Sequence, residues 1–171
     1  MFWCQDTRLC YAPSMPDDLY ARDILTWSEH QADLLRRVAR GERVNGVDWE
    51  HVVEEIEDVG NSQLSAVESF LRLLLAHLLK IHGWPESLTV GHWRSEVVSF
   101  QADAAQRYVP SMRQKIDLDR IYRVAREQVA PAHYDGRDPD PLPERCPFTL
   151  DQLLTEHWSA LAAVLIAQRD S

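Results

Sequence analysis

The chain has no long hydrophobic run. Its longest uninterrupted apolar stretch is Ala160–Ala167, well short of the roughly 18–20 residues needed to cross a bilayer, so no membrane span is expected. It also lacks a secretory leader pattern: the opening MFWCQDTRLCYAPSMP is mixed and is broken by Pro13 and Pro16, where a leader needs a basic start and a continuous apolar stretch. Cysteine is scarce, with Cys4, Cys10 and Cys146 forming an odd set that contains no Cys-x-x-Cys. That argues against a disulfide framework and for a reducing, cytoplasmic setting. Gly-rich phosphate loops, His-Glu-x-x-His and Gly-x-Ser-x-Gly are absent as well, which removes the short motifs that would by themselves declare a nucleotide, zinc-protease or hydrolase site.

What is present is acid, concentrated in one place. The 171 residues carry a formal charge of −9. Residues 48–60, DWEHVVEEIEDVG, hold six acids (Asp48, Glu50, Glu54, Glu55, Glu57, Asp58) and no Lys or Arg, so two thirds of the excess lies in thirteen residues. An acidic surface repels phosphate backbones and anionic headgroups, which excludes nucleic acid as the expected partner. The 45% hydrophobic content and the length fit one ordinary globular domain.

Apolar periodicity is helical throughout. Over about 18–40, Leu19, Leu25, Ser28, Ala32, Leu35 and Val38 share one side, with Ile24, Trp27 and Leu34 beside them, and Gly41 supplies a stop. Asp48 is placed to cap a helix on which Trp49, Val52, Val53, Ile56 and Val59 repeat. Gly60-Asn61 marks a kink or break before Leu64, Val67, Leu71, Leu74, Leu78 and Ile81, flanked by Phe70, Leu73, Leu75 and Leu79. That arc is wide enough to face two neighbours and marks the central helix. Further helices are expected over about 93–108 and 111–130. Five prolines in 131–148 then forbid regular structure. Thr149-x-x-Gln152 has capping-box spacing and opens a last helix through Leu153, Leu154, Trp158, Leu161 and Leu165. The expected fold is all-α: a single-domain bundle of five or six helices, mostly antiparallel neighbours, over 17–171, preceded at 1–16 by a disordered arm or a start assigned too early.

The stretch at residues 48–80 resembles the bacterial family called domain of unknown function twenty-nine. Leu19-Tyr20-x-x-Asp23 with Trp27, Trp93-Arg94, and Cys146-Pro147-Phe148-Thr149-x-x-Gln152-Leu153-Leu154 are similar to its pattern. The resemblance covers about 18–157 and implies an all-helical bacterial fold without an assigned reaction or catalytic residues.

Glu54, Glu57 and His77 are the candidate metal ligands. Glu54 and Glu57 are i,i+3 neighbours, and a histidine from an adjacent helix completes such carboxylate sites in bundles. No cofactor is expected on this sequence beyond that possible divalent metal. The competing explanation is an ion-paired face: Arg36, Arg37, Arg40 and Arg43 end the preceding helix, and folding back would bring Arg37 within reach of Glu54 or Glu55. If the acidic helix instead runs on through Gly60, Glu57 and His77 stand about 30 Å apart and share no metal. His77 is then a core histidine bonded to a backbone carbonyl or carboxylate, and His92 a loop or cap residue. Cys146, just before a helix start, is read as a packed cysteine, with a lowered thiol pKa as the competing state. The tryptophans are read as core and interface anchors.

The sequence therefore favours a non-enzymatic protein-interaction or accessory module, contacting a protein partner or a second copy through the acidic hairpin or the last helix, whose apolar turns at Leu161–Ala167 must be covered. A metal-dependent enzyme and an acidic toxin-neutralising or decoy partner are the alternatives.

Overall fold

The computed structural model describes residues 16–167. The expected arm at 1–16, with Trp3, Cys4 and Cys10, therefore falls outside the described residues save for Pro16. The described residues form seven α-helices and one 3-10 turn and no β-strand: α1 Pro16–Arg22, α2 Ile24–Ala39, α3 Trp49–Gly83, α4 Val90–Arg107, α5 Leu118–Val129, α6 Leu150–Thr155 and α7 Trp158–Ala167, with the 3-10 turn at Pro110–Met112. The all-α expectation holds. The chain divides into two compact units between Asp58 and Val59, inside α3.

The first unit contains α1, α2 and the opening turns of α3. One helix over 18–40 was expected, and Asp23 breaks it in two. Its backbone leaves the helical region (φ −152°, ψ 80°) and its carboxylate caps α2, Oδ1 accepting from Thr26 N at 3.0 Å and Oδ2 from Thr26 Oγ1 at 2.6 Å. An Asx cap of this kind offers the backbone an alternative to continuing the preceding helix. The buried face also differs from the expected one. Trp27, Gln31 and Leu34 point inward with Val52 of α3, while Ile24, Leu25 and Val38 are exposed. A polar residue in the middle of the true stripe hid it. At the other end the expected stop is present: Gly41 takes φ +81°, its N–H donates to Val38 O and that of Glu42 to Arg37 O, the paired bonds of a Schellman cap.

α3 crosses Gly60 and Asn61 without interruption, for 35 residues. No proline lies inside it, and a lone glycine costs a helix only about 1 kcal/mol relative to Ala.

In the second unit the wide arc on α3 is the centre of the core, with Val67, Leu71, Leu74, Leu75, Leu78 and Leu79 fully buried. Each such Leu contributes about 1.5–3 kcal/mol by leaving water. Trp93 and Val97 of α4, Ile121 and Tyr122 of α5, Leu153 of α6, and Leu161 and Leu165 of α7 belong to the same core. The helix expected at 111–130 is shorter, because the 3-10 turn intervenes and Asp117 caps α5, accepting from Arg120 N at 2.9 Å. The capping box at Thr149 and Gln152 forms as its spacing predicts. The helix it opens then ends at Thr155, because Gln101 of α4 donates its Nε2 to the carbonyls of Leu153 (2.8 Å) and Glu156 (2.7 Å). These interactions satisfy helix-end acceptors from outside, and the chain restarts as α7. His92, expected in a loop or helix cap, lies in the first turn of α4.

The proline-rich segment is irregular, as expected, and is fastened to the core. Trp84 Nε1 donates to Arg137 O (2.9 Å), Asp140 N to Gly83 O (2.9 Å), His82 Nε2 to Pro141 O (3.0 Å) and Tyr122 OH to Pro143 O (2.8 Å). The approach is close enough that a Cβ on Gly83 would meet Pro139 Cβ at 2.9 Å, whereas one on Gly60 would meet nothing within 4 Å. Alanine substitutions at the two glycines are therefore expected to act in opposite directions in urea denaturation. Gly60→Ala should stabilise by about 0.5–1 kcal/mol through helix propensity, and Gly83→Ala should destabilise by about 1–3 kcal/mol through overpacking.

Candidate functional site

The first unit is organised around one carboxylate. Asp48 stands before the first turn of α3, where its Oδ1 accepts from His51 N at 3.4 Å. Its Oδ2 accepts from Trp27 Nε1 at 3.1 Å and from His51 Nδ1 at 2.8 Å, while its own N–H donates to the Oε1 of buried Gln31 at 3.0 Å. Tyr20, from α1, stacks on the His51 ring at 3.9 Å, meets Trp27 edge-on at 4.9 Å and donates its hydroxyl to Glu55 at 2.7 Å. Residues from three helices thus converge. The arrangement explains Gln31: a buried amide is stable there because it satisfies a backbone donor at the head of α3.

The electrostatics follow from these contacts. Burial alone would raise the Asp48 carboxyl, but the hydrogen bonds from His51 and Trp27 outweigh it and hold the group below its ordinary value. Asp48 is then an ionised acceptor that keeps the Nδ1 proton of His51 in place. The Glu55 hydrogen bond, with smaller contributions from burial and the charges of Glu54, Glu55 and Asp58, pushes Tyr20 up to about 12. Its phenol stays protonated at neutral pH and is not a base or nucleophile there.

Beside this cluster lies a face the sequence assigns to the core and the structure leaves open. Trp49, Val53 and Ile56 are 56%, 51% and 66% exposed, and their i, i+4, i+7 spacing puts them on one side of α3. Of the apolar residues expected to pack here, Val52 alone is buried. Glu50, Glu54 and Glu57 are exposed on the adjoining side. The expected ion pairing with the end of α2 does not form: Arg37 and Arg40 both bind Glu42, at 2.9 and 3.0 Å, and among the described residues none of Glu50, Glu54, Glu57 or Asp58 has an ion-pair partner.

Glu54 and Glu57, the two candidate metal ligands on this face, are neighbours on the unbroken α3. His77 lies on the same helix, twenty residues beyond Glu57, and belongs to the second unit. His77 is half-buried, its Nδ1 donates to Leu73 O at 2.8 Å, and burial lowers its pKa. Among the described residues no group of three His, Cys, Asp or Glu is placed to hold a metal ion. Cys146 donates its thiol to Phe148 O at 3.6 Å, and burial pushes that thiol up to about 11, opposite to the lowering considered for a helix N-terminus. Of the tryptophans, Trp27, Trp84 and Trp93 are core anchors and Trp49 is not. The sequence reading missed the cluster of Tyr20, Gln31, His51 and Glu55. The available signal was that Tyr20, Trp27, Asp48, His51 and Glu55 all fall within the segments similar to one family.

A family model described as Domain of unknown function DUF29 matches residues 19–159. Among solved structures, the chain is similar to an alpha-helical protein of unknown function from Rhodospirillum rubrum, at 32% identity over 85% of this chain and 96% of that one, with a TM-score of 0.66. No curated protein matches.

Two pH windows follow for the first unit. Asp48 is depressed, so its contribution is present above its ordinary value near 3.8 and is lost as pH falls through the lowered one. Tyr20 is raised, so its contribution is complete below its ordinary value of 10.0 and is lost as pH climbs through about 12. In an alkaline titration followed at 295 nm, Tyr20→Phe is expected to remove one late-ionising tyrosine while the other waves stay in place. Asp48→Ala, which strands the Trp27 donor, should cost about 1–3 kcal/mol in urea denaturation.

Proposed function

The chain belongs to the DUF29 family, and from that premise we propose that it is a non-enzymatic interaction module whose α3 face at Trp49, Val53 and Ile56 receives a basic amphipathic segment of a partner protein. The observation that carries this reading is the exposure of three large apolar side chains at single-face spacing on a stretch with no positive charge. A helix presenting apolar anchors at i, i+4, i+7 is suited to helix-in-groove or helix-on-helix recognition, and a tryptophan at such a surface is the residue type most often found to dominate binding.

Charge selects the kind of partner. Glu50, Glu54 and Glu57 adjoin the stripe and have no ion-pair partner among the described residues, so a partner bearing Lys or Arg beside its own apolar residues gains in encounter rate and register. A second copy of the same face would set these acids against each other. The last helix offers less: Leu161 and Leu165 are already buried within the second unit, leaving Ile166 as its exposed large side chain.

The reading is tested by calorimetric titration of the whole chain with a synthetic amphipathic helix of Leu and Lys. Binding is expected and should weaken with added salt. Trp49→Ser combined with Ile56→Ser should reduce affinity at least tenfold, and Glu54→Gln with Glu57→Gln should flatten the salt dependence. Being exposed, these changes should leave stability within about 0.5 kcal/mol. Equal affinity in the wild type and the double serine variant would overturn the proposal.

A further inference from the structure

A cavity of about 740 Å³ opens in the second unit, walled by His82 of α3, Arg126 of α5 and the segment 141–145. Two guanidinium groups, those of Arg126 and Arg145, stand in its wall. Of the carbonyls of that segment, Pro141 O accepts from His82 Nε2 at 3.0 Å, and Pro143 O accepts from Tyr122 OH at 2.8 Å. Arg126 is half-buried, and its Nε is shut away from solvent with no hydrogen-bond partner among the described residues. A desolvated donor of that kind is costly unless something compensates it. Its place in the last turn of α5 suits the helix dipole but leaves that nitrogen unsatisfied. Among the described residues neither arginine forms an ion pair. Exposed Glu144 is the one carboxylate in the lining.

We propose that this cavity binds a small molecule through an oxyanion, a phosphoryl or carboxylate group gripped by Arg126 and Arg145. Guanidinium groups present their N–H donors in a rigid fork that matches both oxyanions. Leu142 and the prolines around it supply an apolar wall for the carbon skeleton that carries the charge, the usual composition of a small-ligand site. Phosphoryl and carboxylate ligands share this chemistry, and the site is independent of the α3 face, so either proposal can fail without the other.

The test is calorimetric titration of the full chain, at constant ionic strength, with inorganic phosphate in one arm and citrate in the other. Saturable binding is expected in at least one arm; the tighter arm identifies the group as phosphoryl or carboxylate. Arg145→Gln should weaken that binding at least tenfold, and Arg126→Lys, which keeps the charge and loses the fork, should do the same. Arg123→Gln, an exposed change on α5 outside the cavity wall, should leave it unchanged. Should Arg126→Lys fail to fold by circular dichroism, the exposed Arg145→Gln decides alone. No saturable binding in either arm, or undiminished binding in Arg145→Gln, would overturn the proposal.

Discussion

Both compact units are built on one uninterrupted helix, and that continuity is the constraint from which the other features follow. α3 passes Gly60 because nothing in its sequence forces an end: the glycine is exposed, takes no left-handed conformation and touches nothing that a side chain would displace. A helix with a glycine in its interior persists when its flanking turns are held by packing rather than by propensity alone. In the second unit that packing is the pair of leucine rows from Val67 to Leu79. In the first it is much smaller, one buried valine and a set of hydrogen bonds at the helix head.

The first unit therefore relies on polar order to a degree the second does not. Its apolar core among the described residues is Trp27, Leu34 and Val52, too little area to define a unique packing by itself. Asp48 supplies the definition. A carboxylate that accepts from an indole, an imidazole and a backbone amide, while its own backbone donor is matched by a buried glutamine, tolerates few alternative arrangements. Tyr20 extends the same network to α1 through ring stacking and Glu55. The polar residues in this unit thus fix which faces meet, a task the leucine rows of α3 accomplish by shape in the second.

That division explains which features the sequence made legible. The central helix, the Gly41 stop, the Thr149 capping box and the irregular proline segment were all readable, because each is set by local periodicity, a glycine conformation or a fixed cap spacing. The breaks at Asp23 and Thr155 were not. Asp23 ends one helix by capping the next, with a Thr three residues on as its local signal, whereas Thr155 ends α6 because Gln101, more than fifty residues earlier, bonds the carbonyls at that turn. The inward face of α2 was misread for a related reason: its middle position is Gln31, whose burial makes sense once Asp48 N is seen to need an acceptor. Among the site residues, the three named metal candidates were legible as residue types; Glu54 and Glu57 fall in the first unit and His77 in the second.

The exposed stripe is the place where local rules and observed burial conflict most sharply. Trp49, Val53 and Ile56 follow the pattern of a buried helical face, and the acids beside them follow the pattern of a solvated one. Arg37 and Arg40, which stand near enough in sequence to neutralise those acids, are instead engaged by Glu42. In a chain whose other elements agree across propensity, capping and packing, a segment that keeps an exposed apolar face beside acids with no ion-pair partner among the described residues departs from what stability alone would select. Both departures can be relieved together by one surface, apolar in its middle and basic at its edge. That combination, rather than the total charge of the chain, is what the proposed interaction rests on.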